Sequence, residues 1–188
     1  MVVDYLRERF RLRLFIPLAL LIAAAAIVPP AAWTSFAIDS AVALLLLAQF
    51  RMWDDLADRD RDRIEHPSRV LVRDREGTQI VALCGALAVL NICLAIWRDP
   101  SGIAVAVLAV LNAALGVWYL ARTRRSVAGE QLLLAKYPAM VGIVAGSRVL
   151  EAPVQILSVA MVLYLIVCVY EAWHDPASPL ARLVGGHS

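Results

Sequence analysis

The chain has 188 residues, of which 61% are hydrophobic and 18% are charged, and its formal net charge is +2 at pH 7. With a mean hydropathy of +0.71, this composition predicts an integral membrane protein. The small net charge, without interleaved basic and aromatic residues, excludes nucleic acid as the expected partner. The three cysteines lie in apolar segments and are expected to be buried hydrophobic residues, not a disulfide or metal framework.

Six apolar segments follow one another along the chain. Four arginines precede the first, as in a signal peptide, but the segment runs on to Pro29 and Pro30 and more spans follow, so we expect a retained transmembrane helix. The predicted fold is all-α: one polytopic membrane helical bundle over residues 1–188. Its six expected spans are residues 14–33, 36–53, 78–97, 103–120, 131–147 and 154–170.

Several polar residues fall inside these spans. Asp39 is expected at the membrane interface or at a helix N-cap, whereas Gln49 is expected to face a cavity. Asn91 and Asn112 either join helices or touch substrate, and we favour the first role. Lys136 lies in mid-span, where a lysine either meets an anion or extends to the interface.

Charge is densest in residues 51–71, which contain five aspartates and five arginines. On one helix Asp55, Asp58 and Asp62 would lie within about 60° of one another, with Asp54 at the edge of that face. Three such carboxylates repel unless a cation lies between them, and their hard oxygens suit Mg²⁺ carrying a phosphate-bearing substrate. The alternative is a helix at the membrane boundary whose Asp and Arg residues form solvated ion pairs.

The basic residues predict the orientation of the bundle. They are concentrated before the first span, in residues 51–75 and in residues 122–125, which places these segments and both termini in the cytoplasm. The abundant Ala and Arg indicate a bacterial inner membrane. Glu171 and Asp175, spaced i, i+4, end the sixth span on the same side. Acidic helix ends, a basic loop and apolar helix walls together predict a lipid diphosphate site.

Residues 54–71 resemble the first aspartate-rich motif of the UbiA superfamily of intramembrane prenyltransferases, NDxxDxxxD, with Asp54 in place of the usual Asn. Pro67 and Arg69 resemble the Pro-x-Arg-Pro-like tail of that motif. Residues 119–125 are similar to the tyrosine-led basic segment after the fourth span, although Leu120 replaces the usual Ser. Family members generally have nine spans and a second DxxxD motif. Here six spans are predicted, a UbiA-like bundle with the last three helices missing, and residues 171–175 read ExxxD.

The resemblance implies a Mg²⁺-dependent transfer of a prenyl group from an isoprenoid diphosphate to a small acceptor, often aromatic, or to a lipid. The Mg²⁺ ligands that it implies are Asp55, Asp58, Asp62, Glu171 and Asp175. Arg122 and Lys136 would act with the aspartates in catalysis by stabilising the diphosphate. The substrate-binding residues would be Gln49, Asp54, Arg69, Tyr119, Arg124 and Arg125.

Other functions stay open at this point. Related enzymes use phosphoribosyl diphosphate as donor or cyclise the prenyl chain without an acceptor. A second class is a non-catalytic protein for isoprenoid or lipid binding, or for assembly, that keeps a shortened UbiA-like fold; a homo-oligomer completing the cavity is also open. A membrane alcohol phosphotransferase would need glycines around residues 54–62, and that segment has none. The acceptor and the donor chain length are not specified by any local pattern.

Overall fold

The structure is a computed structural model that describes residues 2–73, 77–122, 126–175 and 178–184, and every element in those ranges is helical. The first three helices are α1 (Val2–Arg9), α2 (Leu12–Ala25) and α3 (Trp33–Ala57). Two short helices, α4 (Arg59–Glu65) and α5 (Val70–Arg73), lead to α6 (Thr78–Arg98) and α7 (Ile103–Ala121). The remaining helices are α8 (Val127–Ala145), α9 (Arg148–Glu151), α10 (Pro153–His174) and α11 (Pro179–Val184).

Four of these helices, α3, α6, α7 and α10, are long and apolar enough to cross a membrane. The prediction of an all-helical fold is therefore confirmed over the described residues, and the four long apolar helices agree with a membrane bundle. The other two predicted spans correspond to α2 and α8. The helix at the first expected span, 14–33, ends at Ala25, because Pro29 and Pro30 lack an N–H donor and restrict the residues before them. At 1.5 Å per residue, the 14 residues of α2 extend about 21 Å.

The bundle is arranged around α8, which packs against α2, α3, α7 and α10. This position explains how α8 carries two charged residues along its length. Glu130 is 6% exposed and Lys136 is 7% exposed, so both lie inside protein and not against lipid. Large apolar side chains on α6, α7 and α10 point outward instead, as expected of surfaces that face hydrocarbon.

Exposed tryptophans lie at the ends of the long helices. Trp33 begins α3, Trp97 lies near the end of α6, and Trp173 lies near the end of α10. These amphipathic rings have the positions that tryptophan prefers at the two membrane–water interfaces. Their placement agrees with a bundle that spans a bilayer.

An amide network joins three helices in the middle of the bundle. Gln49 Nε2 donates to Asn112 Oδ1 at 3.0 Å, and Asn91 Nδ2 donates to Gln49 Oε1 at 2.8 Å. These bonds give each of the three amides a partner in an apolar interior, although Asn91 Oδ1 is buried without one. The helix-joining role expected of Asn91 and Asn112 agrees with these contacts.

The acidic segment, residues 51–71, lies at one end of the bundle. A cluster of three charged residues, which we call the distal cluster, lies at the opposite end: Asp39, Arg98 and Arg148. Asp39 is fully buried, and it accepts hydrogen bonds from Arg98 and, at 2.9 Å, from Nη1 of Arg148. Arg148 also donates to the carbonyl oxygens of Val144 and Ala145 at the end of α8. The distal cluster thus ties α3, α6, α8 and α9 together. Asp39 is not an N-cap, because α3 begins at Trp33, and its carboxylate forms ion pairs inside the protein at this end of the bundle.

Asp99 caps the start of α7 from the same end. Its carboxylate accepts from the Ser101 hydroxyl at 2.5 Å and from the Ala104 N–H at 2.8 Å. Burial raises the pKa of Asp99, but these hydrogen bonds outweigh burial and hold the pKa below its ordinary value. Gly146, with φ of +56°, lies so close that an added Cβ would sit 2.9 Å from Asp99 Cγ. Glycine therefore lets the end of α8 approach this cap.

The contact between α7 and α8 depends on Gly129. A Cβ on Gly129 would lie 1.8 Å from Cζ2 of Trp118, so we expect Gly129→Ala to lower the free energy of unfolding by about 1–3 kcal/mol through overpacking. Gly85→Ala is the matched control, because no atom lies within 4 Å of its added Cβ. That variant should be neutral or more stable by up to about 1 kcal/mol. Equal thermal stability of the two variants in detergent would contradict this packing.

Candidate functional site

The acidic segment folds as two helices and not as the single helix that the spacing predicts. The helix α3 ends at Ala57 and α4 begins at Arg59, with Asp58 at the junction. The backbone bonds nevertheless continue across it: Asp58 N–H donates to the Asp54 carbonyl at 3.0 Å, and Asp62 N–H donates to the Asp58 carbonyl at 2.9 Å. The junction therefore keeps the aspartates on one side of the chain.

A cavity of about 650 Å³ lies at this end of the bundle. Its walls come from the acidic segment, from the ends of α7 and α8, and from α10. Residues far apart in the sequence thus face one space. The predicted site residues that line it are Asp54, Asp55, Asp58, Asp62, Arg69, Arg122, Lys136 and Glu171.

Asp54 connects three helices at the cavity wall. One carboxylate oxygen accepts from the Tyr119 hydroxyl of α7, and the other contacts the Lys136 ammonium of α8. Lys136 therefore meets an anion inside the protein and does not extend to the interface. The guanidinium of Arg122 lies 4.9 Å from the centre of the Tyr119 ring, a cation–π contact that fixes the phenol in place.

Asp55 has the most complete set of partners. It accepts from the Tyr5 hydroxyl at 2.9 Å, from Arg9 Nε at 3.0 Å and Nη2 at 2.5 Å, and it pairs with Arg51 at 3.2 Å. Its side chain is only 6% exposed. Burial, together with the Asp55 charge, raises the pKa of Tyr5 above its ordinary value, so the phenol stays a hydrogen-bond donor.

The other two predicted metal ligands of this segment are also paired. Asp58 accepts from Arg122 at 2.7 Å, and Asp62 pairs with Arg69. Asp58 is the more open of the two, with 39% of its side chain exposed against 9% for Asp62. Each aspartate of the motif is thus neutralised by a cationic side chain.

The carboxylates fit magnesium in their chemistry but not in their present arrangement. Hard oxygen donors are the ligands that Mg²⁺ prefers. Among the residues that the structure describes, however, no three His, Cys, Asp or Glu side chains lie close enough together to hold one metal ion. Ligation by Asp55, Asp58 or Asp62 therefore requires that at least one of their ion pairs with arginine opens.

The remaining predicted site residues have other positions. Gln49 is engaged in the amide network and is not among the residues that line the cavity. Tyr119 reaches Asp54 without lining the cavity itself. Asp175 ends α10, where its N–H donates to the Glu171 carbonyl at 3.0 Å, and it does not line the cavity either. Arg124 and Arg125 lie outside the described residues.

Three partners of Asp55 were not predicted as site residues: Tyr5, Arg9 and Arg51. Tyr5 and Arg9 stand at i, i+4 spacing, which places both on one face of α1. Arg51 precedes Asp55 by the same spacing. The i, i+4 spacing could have predicted that Arg51 pairs with Asp55 and that Tyr5 and Arg9 share a helix face. Nothing in it indicated that α1 would meet Asp55, which lies 46 residues after Arg9.

Comparisons with known proteins give no relative for this chain. No protein-family model, no curated protein and no solved structure matches it. What the site does must be inferred from its own residues.

Proposed function

We propose that the chain is a UbiA-type membrane protein that binds an isoprenoid diphosphate in this cavity and transfers the prenyl group to a small or lipid acceptor. The observation that carries the proposal is the convergence at one cavity of Asp54 from α3, Asp58 from the junction before α4, Arg122 from the C-cap of α7 and Lys136 from the middle of α8. Their sequence separation makes this convergence a property of the fold.

The cations of the cavity supply what a diphosphate needs. Phosphate oxygens accept charge-assisted hydrogen bonds from guanidinium and ammonium groups. When the bond between the prenyl C1 and the diphosphate oxygen breaks, the electron pair leaves with the diphosphate, which gains negative charge. Arg122 and Lys136 would stabilise that charge. The allylic cation then receives an electron pair from the acceptor, which loses one proton as the new bond forms.

The apolar helices below the cavity supply the environment for the hydrocarbon tail. Leu133 and Leu134 line the cavity from α8, next to the charged residues. An isoprenoid chain bound against such side chains is removed from water while its diphosphate stays among the cations.

The proposal includes Mg²⁺ because the cavity carries carboxylate oxygens, which are the ligands that this ion prefers. Asp55, Asp58 and Asp62 are the ligands expected from the acidic segment, and Glu171 faces the same cavity from α10. When bound, Mg²⁺ would add positive charge beside the diphosphate. We assign no step to the ion, because the present ion pairs occupy the carboxylates.

The proposal includes a membrane topology. With α2 and α8 counted beside the four long apolar helices, the chain would have six spans and resemble a UbiA bundle without its last three helices. The distribution of basic residues places the cavity and both termini on the cytoplasmic side in this topology, and the Ala and Arg usage favours a bacterial inner membrane.

The test is diphosphate release by the purified protein in nanodiscs, with geranyl, farnesyl and longer prenyl diphosphates, each with and without Mg²⁺. We expect Mg²⁺-dependent release that falls by about 100-fold in Asp58→Asn, a loss typical of removing a charged transition-state contact. Asp4→Asn is the matched control, because it makes the same change at an exposed position of α1. Undiminished release in Asp58→Asn would contradict the proposed mechanism.

A second candidate is isoprenoid binding without transfer, in a carrier or an assembly protein. It is favoured by the ion pairs at the motif aspartates, since carboxylates neutralised by arginine and lysine stabilise a structure without any reaction. The same assay separates the two functions. Saturable binding of farnesyl diphosphate, with no release from any donor, would support the second candidate.

A further inference from the structure

The N-terminal helix α1 lies against the cavity and is attached to it by polar contacts. Tyr5 and Arg9 bind Asp55, and Glu8 Oε2 accepts the backbone N–H of Val70 at 3.0 Å. The opposite face of α1 is open, with Val3 58% exposed and Arg7 exposed. The helix therefore presents one face to the site and the other away from it.

The contacts from α1, together with Arg51 of α3, fill the carboxylate of Asp55. An ionised carboxylate has about four acceptor positions. Arg9 takes two through Nε and Nη2, the Tyr5 hydroxyl takes a third, and Arg51 lies at 3.2 Å from Oδ1. No acceptor position on Asp55 is left for a ligand while α1 is in place.

The attachment of α1 is separable from the rest of the bundle. Within α1 the fully buried side chain is Tyr5, which belongs to a small apolar cluster with Met52, Leu71 and Ile80. The main core of the bundle does not include this cluster. Phe10 and Arg11 are not helical and separate α1 from α2. Displacement of α1 would therefore leave the main core intact.

We propose that α1 is a strap that masks Asp55, with the Arg9 guanidinium in the place of a diffusible cation. Release of the strap exposes Asp55 in the same cavity as Asp58 and Asp62, where carboxylate oxygens suit a divalent ion. This inference rests on the proposed function in one respect: the proposed function is the reason for choosing a divalent cation as the species that α1 excludes. It follows that Arg9 and such an ion compete for Asp55.

Binding of Mn²⁺, a paramagnetic probe for Mg²⁺, tests this competition. The full-length protein is placed in nanodiscs of phosphatidylcholine, and free Mn²⁺ is measured by electron paramagnetic resonance. We expect Arg9→Gln to bind Mn²⁺ about tenfold more tightly than the wild type, because two charge-assisted bonds to Asp55 are lost. Arg7→Gln is the matched control, since it removes the same charge from the exposed face of α1.

Two further variants show whether a change in Mn²⁺ affinity comes from Asp55 or from misfolding. Tyr5→Phe keeps the ring in its apolar cluster, removes one donor from Asp55, and should tighten Mn²⁺ binding by about threefold. Arg9→Gln combined with Asp55→Asn should lose the gain. Unchanged affinity in both Arg9→Gln and Tyr5→Phe, or an equal gain in Arg7→Gln, would overturn the strap. Absence of diphosphate release from all variants would count against the proposed function alone, because the Mn²⁺ measurement requires no turnover.

Discussion

Asp39→Asn should lower the free energy of unfolding by about 3–5 kcal/mol, the cost typical of breaking a buried ion pair from one side. Asp39 is fully buried, and its carboxylate neutralises Arg98 and Arg148, whose side chains are 17% and 22% exposed. The amide keeps the size of the side chain but removes its charge, so two largely buried guanidinium groups lose their counter-ion. Equilibrium unfolding in mixed micelles, followed by circular dichroism, measures the loss.

The matched control is Asp60→Asn. Asp60 also pairs with an arginine, Arg63 at 2.8 Å, but its side chain is 90% exposed. Exposed ion pairs contribute little to stability because water and salt screen them. Similar losses in Asp39→Asn and Asp60→Asn would mean that burial of the distal cluster does not determine its contribution.

Lys136→Met is the second change with a large expected effect. Lys136 is the single lysine of the chain, and it contacts Asp54 with 9% of its side chain exposed. We expect a loss of about 2–3 kcal/mol in unfolding free energy, below the cost of a fully buried pair, because Asp54 still accepts from Tyr119. Addition of Asp54→Asn should recover most of this loss, since no unpaired charge then remains.

We expect the Lys136 and Asp54 substitutions to change the affinity for farnesyl diphosphate in a different pattern from the free energy of unfolding. If Lys136 contacts the diphosphate, Lys136→Met and the double variant with Asp54→Asn should both bind it about tenfold more weakly, the value of one charge-assisted hydrogen bond. Arg63→Gln serves as the control, because it removes a cation that is half exposed and does not line the cavity. Calorimetric titration in nanodiscs would contradict a binding role if Lys136→Met and Arg63→Gln gave the same affinity.

The positions of the long helices could be predicted closely, because the length of each apolar segment determines where its helix begins and ends. The expected spans 78–97 and 103–120 correspond to Thr78–Arg98 and Ile103–Ala121, each preceded by a glycine in the left-handed region. The helix at the second expected span, 36–53, is longer than that span. α3 continues to Ala57 through Asp54 and Asp55, because cationic and phenolic partners on other helices accommodate those carboxylates inside the protein.

The pairing of charges could not be predicted, because it depends on which helices become neighbours. The partners of Asp39 lie 59 and 109 residues away, so its local sequence resembled an interfacial aspartate. Likewise, the spacing of Asp55, Asp58 and Asp62 indicated a shared cavity but not an arginine at each carboxylate. Seventeen arginines offer many possible partners, and only the packing of the bundle selects among them.

The position of α8 has a consequence for biogenesis. In the six-span topology that we propose, Lys136 would cost about 2.5–3.5 kcal/mol if α8 entered the bilayer as an isolated segment with this residue near mid-depth. Three of the helices that it packs against, α2, α3 and α7, are synthesised before it. α8 would therefore leave the translocon beside helices that already offer Asp54 to its lysine. Insertion of this segment and its tertiary packing become a single step.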